Sequence, residues 1–81
     1  MNPKDIEDVI SALQAGKTID WRYPKEGSFE SLSYNSATLR FVWIERAIHQ
    51  ETKVSQYTQR EFHAYLLNAK HLDRSHFSEI L

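Results

Sequence analysis

The longest apolar stretch of the chain, Leu39 to Ile48 (LRFVWIERAI), limits the fold more than any other segment. Its bulky residues fall on odd and even positions, so an extended strand would be apolar on both sides. We therefore expect this segment to be covered on two sides and to lie in the middle of the fold. Its β-branched and aromatic residues favour a strand over residues 38–49. A helical stripe with Ser36 as its cap also fits these letters, and we prefer the strand.

The N-terminal residues carry clear signals for a helix. Asn2 can cap a helix, and Pro3 suits its first position. Apolar residues then recur at spacings of three and four, which predicts a helix over residues 3–15. Gly16 suits the left-handed turn that often ends a helix.

A second helix is predicted near the C-terminus. Thr58 followed by Glu61 has the pattern of a capping box, and an apolar face follows it. We expect this helix over residues 59–70. Residues 73–81 contain a further predicted turn of helix.

Between these helices the pattern changes to that of strands. Residues 18–23 alternate between apolar and polar, which is typical of a half-buried strand. Residues 24–27 form a turn with Pro and Gly, and a second strand is predicted over 28–34. Phe29 and Leu32 differ in parity, and a bulge in this strand would reconcile them.

Residues 50–56 are polar and fit either a loop or a short edge strand. The predicted order is therefore α-β-β-β-α-α. This is an α+β fold in which a three-stranded antiparallel sheet carries an N-terminal helix and C-terminal helices on one face. Eighty-one residues predict one small domain, 1–81. The other face of such a sheet is often left to solvent or to a partner.

The composition excludes several kinds of chemistry. The absence of cysteine excludes disulfides and thiolate metal sites, and two glycines cannot supply a phosphate-binding loop. A net charge of −1 gives no global field for nucleic acid. The N-terminus is unlike a signal peptide, and no stretch reaches the roughly 18–20 apolar residues of a membrane span. We expect a cytoplasmic protein with no cofactor, no metal and no membrane partner.

The histidines and acids offer weak signs of catalysis. His71 and His76 flank Asp73 and would suit a loop metal site, although exposed residues near a helix end are the more ordinary interpretation. Glu45 and His49 would share a face of the third strand as a surface pair. We expect no concave pocket with converging titratable residues, and hence no enzyme.

Basic and aromatic residues interleave along the predicted strands. Tyrosine and arginine often dominate the binding energy of protein interfaces. We predict a small non-catalytic protein that binds another protein through the open sheet face and the adjoining loop, with homodimerisation as a close variant. Single-stranded nucleic-acid binding by sheet aromatics and arginines is the alternative. The candidate binding residues are Arg22, Tyr34, Arg40 and Arg46.

One short segment resembles a known group of proteins. Its residues are Ile10, Leu13, Gly16, Lys17, Ile19, Trp21 and Arg22. This pattern resembles the helix–LxxGKxIxWR–strand opening of small bacteriophage and prophage proteins, over about 13 of 81 residues. The resemblance implies an accessory protein of a mobile element, with modulation of a host factor or defence system as one role.

Overall fold

Four antiparallel strands form a single sheet whose order in space is their order in the chain. The computed structural model describes all 81 residues. In chain order the elements are α1 (Pro3–Gln14), β1 (Ile19–Tyr23), β2 (Ser28–Asn35), β3 (Arg40–Arg46), β4 (Lys53–Tyr57), α2 (Gln59–Asn68) and a short 3-10 helix (Arg74–Phe77).

The α+β class, the N-terminal helix and the antiparallel sheet are confirmed, but the sheet has four strands where three were predicted. The additional strand is β4, in the polar segment that fitted either a loop or an edge strand. Its sequence, KVSQY, contains one β-branched residue, so its own propensity for strand is weak. The segment is extended because its backbone pairs with β3, from Phe41 opposite Tyr57 to Glu45 opposite Lys53.

The central apolar segment is a strand, as preferred, but it is shorter than residues 38–49. Leu39 and His49 have φ angles of 58° and 60°. This left-handed conformation is incompatible with a strand. The extended backbone of β3 therefore lies between these two residues.

The bulge predicted in the second strand is absent. The pairing of β2 with β3 is regular, from Phe29 opposite Arg46 to Asn35 opposite Arg40. Because side chains alternate along a regular strand, Phe29 and Leu32 point to opposite faces of the sheet. Leu32 is buried, whereas Phe29 is only half-buried.

Helix α1 begins and ends as its sequence predicts. The Asn2 side chain accepts a hydrogen bond from the backbone N–H of Asp5 at 2.9 Å. Such a cap contributes about 1 kcal/mol. Gly16 follows the helix with a φ of 95°. The apolar stripe is buried in the core: Ile6, Val9, Ile10 and Leu13.

Helix α2 packs against β3 and β4. Its capping box is formed by Thr58 and Glu61, each side chain accepting from the other's backbone N–H. Phe62 then lies parallel to Phe41, with 4.5 Å between ring centroids and 7° between ring planes. This stack joins the helix to the middle of the sheet.

The predicted final helical turn is present as the 3-10 helix. Phe77 and Ile80 are buried in the common core. Arg74 forms ion pairs with Asp5 and Asp8 of α1, at 2.9 and 3.0 Å. The C-terminal segment is thus joined to the first helix.

Only one face of the sheet is covered, so the expectation that β3 is covered on two sides is wrong. Phe41 and Trp43 point into the core beneath the helices. Val42 and Ile44 point the other way and remain half-buried. Both sides of β3 are apolar, but only one of them meets the helices.

Candidate functional site

The uncovered side of the sheet, which we call the open face, is defined by strand alternation and register. None of the core residues belongs to it. It comprises Asp20, Arg22, Phe29, Ser31, Ser33, Asn35, Arg40, Val42, Ile44, Arg46, Val54 and Gln56.

The centre of the open face is apolar. Ile44 lies opposite Val54 of β4, and Val42 is two residues from Ile44 on the same strand. Phe29 is diagonal to Ile44 across the β2–β3 pair, a separation that aromatic side chains bridge. Val54 is 53% exposed. These four side chains form a continuous patch that the chain itself leaves uncovered.

Two arginines lie on either side of Phe29. Arg22 pairs with Phe29 across β1 and β2, and Arg46 pairs with it across β2 and β3. Neighbouring strands are about 4.8 Å apart. The phenyl ring therefore has an exposed cationic side chain on each side.

The open face carries more positive than negative charge. Its charged residues are three arginines and one acid, Asp20. The three ion pairs of the structure involve none of these arginines. Their guanidinium groups are therefore available to carboxylates of another molecule.

Arg40 lies at the far end of this face, near the first turn of α2. The pKa of Glu61 is lowered mainly by the hydrogen bond from the Thr58 backbone, and the charge of Arg40 adds a smaller lowering. The positive charge of Arg40 thus acts partly on Glu61 of the same chain. Arg22 and Arg46 are the arginines that flank the apolar centre.

A hollow of about 370 Å³ continues the open face beyond Phe29 and Arg46. It lies where the β1–β2 turn approaches the β3–β4 loop. Gly27 has a φ of 61°, and a Cβ there would lie 3.1 Å from the Cδ1 of Ile48. Ile48 is 58% exposed. The hollow extends the open face toward this loop.

Tyr34 does not join the three predicted arginines. It lies on the covered face, where it pairs with Phe41 and packs on it at 4.8 Å between ring centroids. The structure thus brings together Arg22, Arg40 and Arg46 on one side of the sheet and places Tyr34 on the other. Sequence reasoning missed Phe29, although its parity relative to Leu32 was the available signal.

The aromatic residues of the sheet are divided unequally between its faces. Phe29 is the one aromatic residue on the open face. The alternative of nucleic-acid binding by sheet aromatics therefore loses most of its stacking platform. The aromatic side chains on the covered face are Trp21, Tyr23, Tyr34, Phe41, Trp43 and Tyr57.

The two tryptophans of the chain stack on each other on the covered face. Their ring centroids are 5.5 Å apart and their planes are 19° apart. The indole N–H of Trp43 donates to a carboxylate oxygen of Glu30 at 2.9 Å. The indole N–H of Trp21 donates to the carbonyl oxygen of His76 at 3.0 Å. Each indole is thus held at its polar end.

A small cavity of about 150 Å³ adjoins this pair of indoles. Its lining includes Glu30 and Glu45, which are paired across β2 and β3, and the ring of Tyr65. The expectation that no concave pocket has converging titratable residues is therefore wrong. Strand alternation brings these two glutamates to one face, but sequence alone did not show that α2 would close over them.

The other predicted groups do not form a site. Asp73 accepts hydrogen bonds from Ser75 and caps the 3-10 helix with His76. The Ser75 hydroxyl, then His76, lowers the pKa of Asp73. Glu45 lies on the covered face of β3, whereas His49 lies beyond the end of the strand. No group of three or more His, Asp or Glu side chains is arranged to hold a metal ion.

The chain matches none of the family models, curated proteins or solved structures with which it was compared. None of its helices combines the length and the apolarity needed to cross a bilayer.

Proposed function

We propose that this is a small non-catalytic binding protein whose open face binds an acidic segment of a protein partner. The observation that carries the proposal is the arrangement of the open face. An uncovered apolar centre is bordered by three arginines and only one acid. A partner that fits must bring apolar side chains to the centre and carboxylates to its border.

The composition of this face resembles that of protein interfaces. Interfaces are enriched in aromatic residues and arginine, and their apolar centres are surrounded by polar groups. Phe29 and Ile44 supply the centre, and the guanidinium groups of Arg22 and Arg46 can each donate two parallel hydrogen bonds to a carboxylate. Because these arginines make no ion pair within the chain, binding breaks no internal salt bridge.

A protein partner is favoured over single-stranded nucleic acid by the same geometry. Nucleic-acid binders of this kind stack successive bases on several rings. The open face has one ring, and the remainder of its centre is aliphatic. The resemblance of residues 10–22 to phage and prophage proteins supports a search among host and defence proteins, by analogy alone.

Photo-crosslinking at two positions of similar exposure tests the proposal. A photoreactive amino acid replaces Val54 on the open face or, as the control, Leu67 on α2; these residues are 53% and 47% exposed. We expect a discrete crosslinked protein from position 54 and none from position 67. Identical products from both positions contradict the proposal. A product of twice the monomer mass indicates the homodimer, and a nuclease-sensitive product indicates nucleic acid.

Charge reversal then tests the role of the arginines with the purified crosslinked partner. The double variant Arg22→Glu/Arg46→Glu is compared with Arg60→Glu/Lys70→Glu, which changes the net charge equally at exposed positions in and just after α2. We expect the first pair to weaken binding by at least about tenfold, because like charges then face each other. The second pair changes binding by less than about twofold. Equal losses in both variants overturn the proposal.

A further inference from the structure

We propose that the cavity beside the stacked tryptophans binds an alkylated ammonium group. This site is on the covered face of the sheet, so it is separate from the open face and does not depend on the function proposed for it. Its wall contains aromatic rings, carboxylates, the imidazoles of His71 and His76, and the side chain of Leu72. The lining residues on which the inference depends are Trp21, Tyr23, Glu30, Trp43, Glu45 and Tyr65.

The aromatic part of the wall comes from three elements. Trp21 and Trp43 project from β1 and β3 and stack across β2. Tyr65 of α2 meets Trp43 edge-on, at 5.6 Å between centroids and 71° between planes. Aromatic rings attract cations through the negative charge of their faces, and sites for quaternary ammonium groups are commonly built from several rings.

The carboxylates supply negative charge on the wall of the cavity. Glu30 and Glu45 are opposite each other across β2 and β3 and are both half-buried. Neither takes part in any of the three ion pairs of the structure. Lys53 pairs with Glu45 across β3 and β4, but its ammonium group is not in an ion pair with it. Two partly desolvated carboxylates on one small cavity favour a positively charged occupant.

The phenols near the cavity respond to these carboxylates. Burial raises the pKa of Tyr65, and the neighbouring Tyr57, Glu45 and Glu30 raise it further. Burial and Glu30 also raise the pKa of Tyr23. A negative field disfavours a phenolate and favours a cation in the same place.

The size of the cavity and its aromatic residues favour an alkylated over a primary ammonium group. A volume of about 150 Å³ is that of about five water molecules at about 30 Å³ each. A primary ammonium has three N–H donors that need acceptors. Glu30 already accepts from Trp43, and four of the nine lining residues are aromatic. Methyl groups on the nitrogen remove these donors.

Fluorescence gives a direct test, because the only two tryptophans of the chain both line the cavity. Choline chloride is titrated at constant ionic strength and at about pH 8, above the ordinary pKa of imidazole. Its neutral isostere, 3,3-dimethylbutan-1-ol, is titrated in parallel. We expect a saturable change with choline and at least about tenfold weaker binding of the isostere. Equal binding of choline and its isostere overturns the proposal. The proposal is also overturned if neither choline nor a peptide carrying Nε-trimethyllysine gives a saturable change.

Neutral variants locate the site. Glu30→Gln/Glu45→Gln keeps the shapes of both side chains, and Asp20→Asn/Glu51→Gln removes two negative charges away from the cavity. We expect the first pair to weaken choline binding by about tenfold and the second by less than about twofold. Unchanged binding by the first pair contradicts the site. Urea unfolding checks that the double variant Glu30→Gln/Glu45→Gln still folds. If it does not, Glu45→Gln alone is measured, because Glu45 forms no hydrogen bond with Trp43.

The source of the ammonium group is tested with peptides. A peptide carrying Nε-trimethyllysine is compared with the same peptide carrying unmodified lysine and with free choline. Binding of the methylated peptide at least about tenfold tighter than choline indicates a modified protein side chain as the ligand. Equal binding of choline and that peptide indicates a small quaternary amine. Preference for unmodified lysine overturns the choice of an alkylated group.

Discussion

The two faces of the sheet are built from the same four strands but differ in what they contain. The covered face holds six aromatic residues, from Trp21 to Tyr57, and all of them except the exposed Tyr23 pack in or against the core. The open face holds one aromatic residue and three arginines, and no helix packs on it. The covered face therefore provides the stability of the fold, whereas the open face is left uncovered by the chain. Adjacent residues of one strand can be compared to test this division.

The largest expected difference is between Phe41 and Val42, which are neighbours on β3 and point to opposite faces. Phe41 is fully buried between Phe62 and Tyr34. Phe41→Ala should lower the free energy of unfolding by about 3–5 kcal/mol, most of the stability of a small domain. Val42→Ala should lower it by about 1 kcal/mol or less. Urea unfolding measures both, and similar losses contradict the comparison.

A smaller loss of stability is expected at the capping box that begins α2. Thr58→Ala removes the hydroxyl that accepts from the Glu61 backbone at the start of α2. We expect a loss of about 1 kcal/mol in the free energy of unfolding. Thr58→Ser retains an acceptor and should lose little. If both variants lose the same amount, the capping box does not contribute to holding α2 on the sheet.

The open face should tolerate changes that the covered face does not. Arg46→Glu reverses a charge beside Phe29 but removes no internal ion pair. We expect the free energy of unfolding to change by no more than about 0.5 kcal/mol. A loss above about 1 kcal/mol in urea unfolding would show that the open face is also needed for the fold.

The smallest effect is expected in how the free energy of unfolding changes at low pH, through the titration of Glu61 in α2. The hydrogen bond from Thr58 lowers the pKa of Glu61 below its ordinary value of 4.5. The unfolded chain therefore binds more protons than the folded one as the pH falls below that value, and stability is lost through the folded pKa. Glu61→Gln can keep the capping box without this titration, so its stability should fall less steeply with acid. Urea midpoints measured between about pH 3 and 6 check this, and parallel slopes contradict it.

The elements with strong local signals were predictable from the sequence. Asn2 and Gly16 bound α1 because a cap and a positive φ need those residue types. The capping box at Thr58 likewise located the start of α2. These signals act within a few residues, so they do not depend on the rest of the fold.

The fourth strand and the composition of each face depended on long-range pairing. Val54 and its polar neighbours form β4 because β3 offers an unpaired edge, which the letters KVSQY alone do not indicate. Residue type alone groups Tyr34 with the arginines, and the register separates it from them. The parity of Phe29 suggests a bulge, whereas strict alternation from Leu32 places it on the open face.

The stacked tryptophans have a spectroscopic consequence. Indoles whose centroids are 5.5 Å apart are close enough for their electronic transitions to mix, which gives an exciton couplet in circular dichroism. One indole is also fastened to the C-terminal segment through the carbonyl of His76. The sign and amplitude of the couplet would thus report, without any label, whether the end of the chain is docked on the first strand.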